Sequence, residues 1–120
     1  MKKLLITLLL ISPFSFADWG DVYYCQMTTY SETTLEGERT DYKLEKFQFK
    51  LDEAKRTMVF GNSGVFEDHV MELVDGQNFP SQEVWVANGV LSRSYFKKGR
   101  FLWSIVRMSI TSISANCDKF

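Results

Sequence analysis

Apolar and polar residues alternate with a period of two over residues 47–51, which read FQFKL. This period is typical of a β-strand with one buried face. Residues 22–30 are rich in aromatic and β-branched side chains, which strands favour. Apolar residues within 44–58 partly fit a helix, but the alternation and the glycine-containing turn after residue 60 favour two strands. The pattern therefore predicts an all-β chain.

Turn signals divide the chain into short strands. The polar stretch at residues 52–56 predicts a hairpin loop between two strands. Asn88-Gly89 predicts a two-residue type I′ turn, because both residue types accept a positive φ. A further turn is expected at residues 97–100, where the chain reads KKGR. These turns indicate a mainly antiparallel arrangement.

Other segments add strands of less regular pattern. Residues 65–74 are expected to form a strand, and residues 31–40 a loop or an exposed strand extension. The buried parity changes between Leu44 and Phe47, which predicts a β-bulge or a strong bend there. Seven or eight strands are expected in total.

The first 17 residues have the layout of a secretory signal peptide. Lys2 and Lys3 precede a mostly apolar run, and a small-x-small cleavage site ends at Ala17. The run is shorter than the about 20 apolar residues of a spanning helix. We therefore expect residues 1–17 to be removed and residues 18–120 to form a single domain. That domain would be periplasmic or secreted, with no transmembrane segment.

The only two cysteines, Cys25 and Cys117, lie near opposite ends of the expected domain. An exported chain matures in an oxidising compartment, so the two thiols are expected to pair. A disulfide requires Cα atoms about 5–6 Å apart, so the first and last strands must be neighbours. A small antiparallel β-barrel meets this requirement; a β-sandwich pinned by one bridge is the alternative.

Charge gives little indication of a partner. Without residues 1–17 the chain has twelve basic and fifteen acidic residues, with no long run of either sign. Such a balance gives no electrostatic reason to expect general nucleic-acid binding. We expect a monomer without cofactors, whose partner is a protein or a small ligand.

Basic and aromatic residues interleave between positions 93 and 107. Aromatic rings beside cations bind anionic or single-stranded ligands in some small barrels. A hairpin with charged turns and core aromatics explains the same pattern, and the net acidic charge favours it. The binding candidates in this segment are Tyr95, Arg100 and Trp103.

No catalytic or metal-binding motif is present in the sequence. His69 is the only histidine, and no partner for a triad is apparent. On a strand, Glu67 and His69 would face one side while Asp68 and Glu72 faced the other, which does not build a metal site. A small hydrolase that uses a carboxylate pair is the alternative to a non-enzymatic protein. The scattered carboxylates are Glu36, Glu38, Asp41, Glu45, Asp52, Glu53, Glu83 and Asp118.

Four short motifs resemble those of the membrane-bound C-type lysozyme inhibitor family. They are YYC at residues 23–25, the Ser63-Gly64 turn, FKKG at residues 96–99 and the final cysteine. The resemblance implies a periplasmic barrel in which a Ser-Gly loop helps to block the lysozyme cleft. That role would fall on Ser63, although the motif departs from the family pattern after Gly64. The whole chain is also similar to uncharacterised short exported proteins of marine bacteria and phages, which implies a compartment and no activity.

The sequence thus favours an exported, non-enzymatic binding or interaction domain. Its contact surface would be a pocket inside the barrel, or the loops at residues 62–69 and 76–82. Ser63, Gly64 and His69 are the candidates in the first of these loops. The ligand would be a small molecule, an envelope component or another protein. A lysozyme-inhibitor-like protein, a small hydrolase, and a purely structural envelope or virion-associated protein are the alternatives.

Overall fold

A computed structural model describes residues 18–74 and 84–120 of the chain. These two ranges contain nine β-strands and no helix, which confirms the all-β prediction. The strands are β1 (Val22–Thr34), β2 (Arg39–Asp41), β3 (Lys46–Asp52), β4 (Thr57–Phe60), β5 (Val70–Leu73), β6 (Trp85–Asn88), β7 (Ser92–Lys97), β8 (Arg100–Val106) and β9 (Ser109–Lys119).

Eight of the strands form a closed antiparallel barrel. Their order around the ring is β1-β3-β4-β5-β6-β7-β8-β9, and β9 closes the ring by pairing with β1. The short strand β2 is not part of the ring. It pairs with the second half of β1, beyond the residues of β1 that pair with β3. Closure removes the free edges that an open sheet would expose. The predicted barrel is confirmed, and the sandwich alternative was wrong.

The two ends of the barrel carry different turns. The apical end is the one at which β4 ends and β5 begins. Because the strands alternate in direction, it holds residues 35–45, 61–69, 89–91 and 107–108. The basal end holds the loop at residues 53–56, the turn between β7 and β8, and both ends of the chain from residue 18 onward.

A disulfide joins the first and last strands of the ring, as predicted. Cys25 and Cys117 are direct partners in the β1–β9 ladder, with Cα atoms 4.0 Å apart. Both side chains are buried. The bond therefore links positions 92 residues apart across the seam at which the barrel closes.

Aromatic rings fill the interior of the barrel. In β3 the side chain of Phe49 points inward and is 1% exposed, while that of its neighbour Gln48 lies outside. The ring of Phe49 lies 5.1–5.8 Å, centroid to centroid, from the rings of Phe60, Phe96 and Phe101. The interior pocket considered from the sequence is therefore filled by these side chains, and the outer surface is the place to look for a ligand.

Each end of the barrel is closed by an aromatic ring from outside the strands. At the apical end, Phe66 enters the core and stacks on Phe60 at 4.7 Å. At the basal end, Trp19 meets Trp85 edge-on at 5.0 Å, and the guanidinium of Arg56 lies 5.5 Å from a Trp19 ring. Sequence patterns for strands do not predict these two plugs, since neither residue belongs to a strand.

The β-bulge expected between Leu44 and Phe47 lies instead in β1. Its extra residue is Thr28, where the β1–β9 register shifts. Residues 42–45 are not part of a strand, so the change of parity there marks the break before β3. The bulge in β1 reverses the parity of the strand, and Tyr30 packs against the core as a result.

The corner of the β6–β7 hairpin lies at residues 90–91, so the predicted corner at Asn88-Gly89 was wrong. The observed register places Trp85 opposite Phe96, and both side chains are buried inside the barrel. A corner two residues earlier would place a serine opposite the tryptophan. Core pairing between distant residues thus overrides the local turn preference.

Other local predictions have mixed outcomes. The loop predicted at residues 52–56 is confirmed, with turns at residues 53–56, and so is the turn predicted within 97–100. A strand lies within residues 65–74 as predicted, but β5 covers only Val70–Leu73, so the predicted start was wrong. The preceding residues form turns that fold back onto the barrel.

Two sequence predictions lie outside the described residues. They are the signal peptide at residues 1–17 and the binding loop at residues 76–82. Among the described residues, no helix has the length and apolar character needed to cross a membrane.

Candidate functional site

An open groove of about 360 Å³ crosses the outer face of β1, β3 and β9. Cys25 and Phe47 of the barrel wall contribute to its floor. Its polar lining combines one aromatic ring, three side-chain amides, a hydroxyl and one charge of each sign. These residues are Tyr24, Gln26, Lys46, Gln48, Ser63, Asn116 and Asp118.

Strand alternation places the first row of the groove. Because Cys25 points into the barrel, its neighbours Tyr24 and Gln26 point outward. Gln26 pairs with Lys46 of β3 on one side and with Asn116 of β9 on the other. Two amides and one ammonium group therefore stand side by side across three strands.

Tyr24 is the centre of the second row. It pairs with Gln48 of β3 and with Asp118 of β9. Its ring is 44% exposed and meets the ring of Phe120 edge-on at 5.1 Å. This contact orients the tyrosine and leaves part of its ring open to the groove.

The groove offers both hydrogen-bond donors and acceptors. A carboxamide donates through two N–H groups and accepts through its oxygen. The Gln26 Nε2 group donates to the carbonyls of Met27 at 3.2 Å and Glu45 at 3.4 Å, which leaves the Gln26 oxygen able to accept. With Lys46 as a donor and Asp118 as an acceptor, the lining suits a ligand that has many hydroxyl or amide groups of its own.

A tightly bonded loop, residues 61–69, holds Ser63 at the rim of the groove. Gly64 has φ +79°, a conformation that favours glycine, and a Cβ there would lie 2.7 Å from Oε1 of Glu45. The same Glu45 oxygen accepts the N–H of Val65 at 2.9 Å. Further backbone hydrogen bonds close the loop on itself and on β4, so Ser63 is presented on a rigid support.

A second polar cluster lies at the apical end around Glu32. Its carboxylate accepts hydrogen bonds of 2.6 Å from the hydroxyls of Ser109 and Tyr42. These bonds, the one from Ser109 most strongly, lower the pKa of Glu32. A general acid needs a raised carboxyl pKa near neutral pH, so Glu32 is not suited to that role. Its two hydrogen bonds tie Tyr42 and β9 to β1.

Tyr30 lies beside the same cluster. Its ring centroid is 4.9 Å from that of Tyr42. Burial raises the pKa of the Tyr30 hydroxyl, and the negative charges of Glu45 and Glu32 raise it further. The phenol is therefore kept in its neutral form, which is not the state of a nucleophile.

The residues predicted from the sequence do not come together in one site. Ser63 lines the groove, and Gly64 follows it in the loop. His69 is exposed at the end of that loop, while Tyr95 and Arg100 point outward on β7 and β8. Trp103 lies inside the barrel and is 8% exposed, so its ring belongs to the core.

The described part of the chain, residues 18–74 and 84–120, contains no cluster of three histidine, cysteine or acidic side chains arranged as metal ligands. The Nδ1 atom of His69 lies 3.4 Å from the carbonyl of Glu67. Both cysteines are bonded to each other.

Most groove residues are absent from the candidates named from the sequence. Gln26, Gln48 and Asn116 carry no motif, and an isolated amide is not a signal of function. The predicted disulfide, however, indicates which residues could line such a groove. If two cysteines pair across adjacent strands, the residues on either side of each must share the outer face, and these are Tyr24, Gln26, Asn116 and Asp118.

Comparison with known proteins gives no match. No family model, no curated protein and no solved structure is significantly similar to the chain. The resemblance to lysozyme inhibitors therefore stays a prediction. The function has to be inferred from the barrel surface itself.

Proposed function

We propose that the protein is a non-catalytic binding domain, exported from the cell, that recognises a saccharide of the cell envelope in the groove across β1, β3 and β9. The observation that carries this proposal is the lining of that groove. A partly open tyrosine ring is surrounded by three carboxamides, and the barrel interior is already filled.

A saccharide matches this lining better than an anion or an apolar ligand does. Sugar hydroxyl and acetamido groups both donate and accept hydrogen bonds, as the carboxamides of Gln48 and Asn116 do, while the Gln26 oxygen accepts. The apolar face of a sugar ring packs on an aromatic ring, and Tyr24 supplies one at the centre of the groove. Lys46 and Asp118 balance each other in charge, which gives an anion no advantage over a neutral ligand.

The position of the groove also supports binding. It lies over the Cys25–Cys117 bridge, on three strands that pair without a register shift over residues 23–26 of β1. A site built on strands holds its side chains more closely than a site on loops. Binding to such a preformed surface costs little ordering of the protein.

Replacing Tyr24 by alanine should weaken saccharide binding about fivefold to tenfold, because the groove loses the partly exposed aromatic ring at its centre. The probes are soluble oligomers of N-acetylglucosamine and glycan strands released from cell walls, measured by isothermal titration calorimetry. Wild type should bind at least one of these probes.

The matched control is Tyr95→Ala. Tyr95 is also an outward tyrosine on a strand, and its exposure of 42% is close to that of Tyr24 at 44%. It lies on β7, outside the groove. Equal loss in both variants, or no binding of any saccharide by the wild type, would contradict the proposal.

Lysozyme inhibition is the second candidate function, and the rigid loop at residues 61–69 favours it. Ser63 is exposed on this loop, which is fixed by the buried ring of Phe66 and by the hydrogen bond to Glu45. A rigid loop enters an enzyme cleft with little loss of entropy. The sequence resemblance to the inhibitor family points to the same serine.

If this candidate is correct, wild type should inhibit lysis of cell walls by a C-type lysozyme and Ser63→Arg should abolish inhibition, because the larger charged side chain would clash at the contact. Direct binding to immobilised lysozyme should be measured as well, since a saccharide-binding protein could shield the substrate. Thr40→Arg adds the same side chain on the exposed strand β2 and serves as the control. Absence of both inhibition and direct binding in the wild type removes this candidate.

A further inference from the structure

Exposed apolar side chains collect at the apical end of the barrel. Among the described residues, thirteen large apolar side chains are exposed, and nine of them lie at or next to the apical turns. Five of these nine belong to strands β6 to β9 and their turns, and we call them the apical patch. The patch consists of Val90, Leu91, Val106, Met108 and Ile110.

The residues at the β6–β7 turn are unfavourable for the stability of the turn itself. Val90 is 85% exposed and Leu91 is 63% exposed at the corner of this hairpin. Leu91 also has φ +63°, a left-handed conformation that costs a leucine free energy. Asparagine or glycine would fit this corner better. Exposure and backbone strain at one residue point to a role outside the fold.

The neighbouring β8–β9 turn extends the same surface. Val106 and Ile110 are direct partners on the outer face, and Met108 at the turn between them is 76% exposed. Ser92 pairs with Ile105, so the β6–β7 corner follows directly beside the end of β8. The two turns therefore present their aliphatic side chains together.

Charge is divided unequally along the chain. Residues 18–74 contain twelve acidic and six basic side chains, whereas residues 84–120 contain one acidic and six basic. No acidic residue occurs between positions 84 and 117. Arg107 stands between two members of the apical patch, and Arg93 points outward from the start of β7. At the apical end, the strands of the patch therefore carry positive charge alone, because Asp118, their one acidic residue, lies at the basal end of β9.

We infer that the apical patch docks this barrel onto an anionic lipid surface, with the aliphatic turns entering the interfacial region and the arginines meeting lipid phosphates. Apolar burial and attraction to anionic headgroups together give such peripheral binding its strength. The acidic apical residues lie on the β1–β5 side of this end. They are Glu32 on β1, whose carboxylate already accepts from the hydroxyls of Ser109 and Tyr42, then Glu45, and those of the segments 35–41 and 61–69. The contact therefore uses the β6–β9 side of this end. The inference is independent of the saccharide groove.

Two other occupants fit the observations less well. A symmetric dimer would place this patch against itself, so Arg93 and Arg107 would oppose their own copies. A nucleic acid would need aromatic rings beside the cations for stacking, but the patch is aliphatic. A bilayer surface accommodates projecting aliphatic turns and attracts arginine in the same contact.

The test is co-sedimentation of residues 18–120 with vesicles of equimolar phosphatidylglycerol and phosphatidylcholine, and with vesicles of phosphatidylcholine alone. Wild type should bind the anionic vesicles and bind the neutral ones much more weakly. The double variant Leu91→Asn/Met108→Ser should bind anionic vesicles at least about tenfold more weakly, since two apolar side chains no longer enter the interface. Its thermal midpoint should stay unchanged or rise, because asparagine accepts the backbone conformation at position 91.

Phe120→Ser is the matched control, because it removes an apolar side chain that is 86% exposed at the opposite end. It should leave vesicle binding within about twofold of wild type, whereas Arg107→Gln should weaken binding to the anionic vesicles by about fivefold. Equal binding to neutral vesicles, or no binding to either kind, would overturn the inference. So would a concentration-dependent dimer abolished by Leu91→Asn/Met108→Ser, or preference for a single-stranded oligonucleotide over the anionic vesicles.

Discussion

Replacing both cysteines, as Cys25→Ala/Cys117→Ala, should lower the free energy of unfolding by about 4–5 kcal/mol. The bridge spans 92 residues and closes the barrel between its first and last strands. In the chain-entropy model, it stabilises the fold by restricting the unfolded chain. The expected loss is a large part of the about 5–15 kcal/mol by which small domains are stable. Urea denaturation at 25 °C, followed by tryptophan fluorescence, measures it.

The reductant-treated wild type provides the comparison for this variant. It should unfold near the same urea concentration as the double variant, since both lack the bridge, while reductant should not affect the variant. The β1–β9 ladder continues for six pairs beyond the bulge, so circular dichroism in the absence of urea should still report β-sheet. A variant within about 1 kcal/mol of the oxidised wild type would mean that strand pairing alone closes the barrel.

The disulfide also bears on the candidate groove. Cys25 contributes to the floor of the groove, and the polar residues on either side of both cysteines form its walls. A barrel whose first and last strands separate more readily would position these side chains less closely. Loss of the bridge and loss of binding are therefore expected to be coupled, whereas Tyr24→Ala should affect binding alone.

Strands with a clean local pattern could be predicted from the sequence. Residues 47–51 alternate because one face of β3 packs on the aromatic interior and the other is exposed, and the polar residues that follow form the turns at 53–56. The proximity of the first and last strands also followed, because two cysteines near the ends of the chain were expected to pair, and this favoured a barrel over the sandwich alternative. In each case the information is local or is carried by a covalent bond.

Features set by distant contacts could not be predicted in this way. The β6–β7 corner shifted because Trp85 pairs with Phe96 inside the barrel, and a turn preference contains no information about that pairing. Val90 and Leu91 then occupy the corner, and their exposure follows from the shift. The apical patch therefore could not be predicted without the register of the β6–β7 hairpin.

The groove was only partly predictable for a similar reason. Ser63 was named from a short motif, and it does line the groove. Gln26 and Asn116 meet because β1 and β9 are neighbours in a closed ring. Their proximity in space, not their residue type, makes them a candidate site.

Phe66→Ala should lower the free energy of unfolding by about 3–5 kcal/mol, the usual cost of truncating a buried phenylalanine. The Phe66 side chain is 1% exposed and closes the apical end of the core. Its ring lies 4.7 Å from that of Phe60 and 5.2 Å from that of Trp103. The alanine variant would leave a cavity that the surrounding strands cannot fill without breaking their ladder. The same urea titration measures the effect.

His69→Ala is the matched control, because His69 is exposed at the end of the same loop. It should stay within about 0.5 kcal/mol of wild type, as surface substitutions usually do. Hydrogen exchange separates local from global effects, since the N–H groups of Asp68 and His69 donate within the loop. In Phe66→Ala these amides should exchange faster than those of the barrel strands, because the loop loses its anchor before the sheet opens. Unchanged exchange would show that the hydrogen bonds of the loop hold it without the Phe66 ring, and Ser63 would then keep its position.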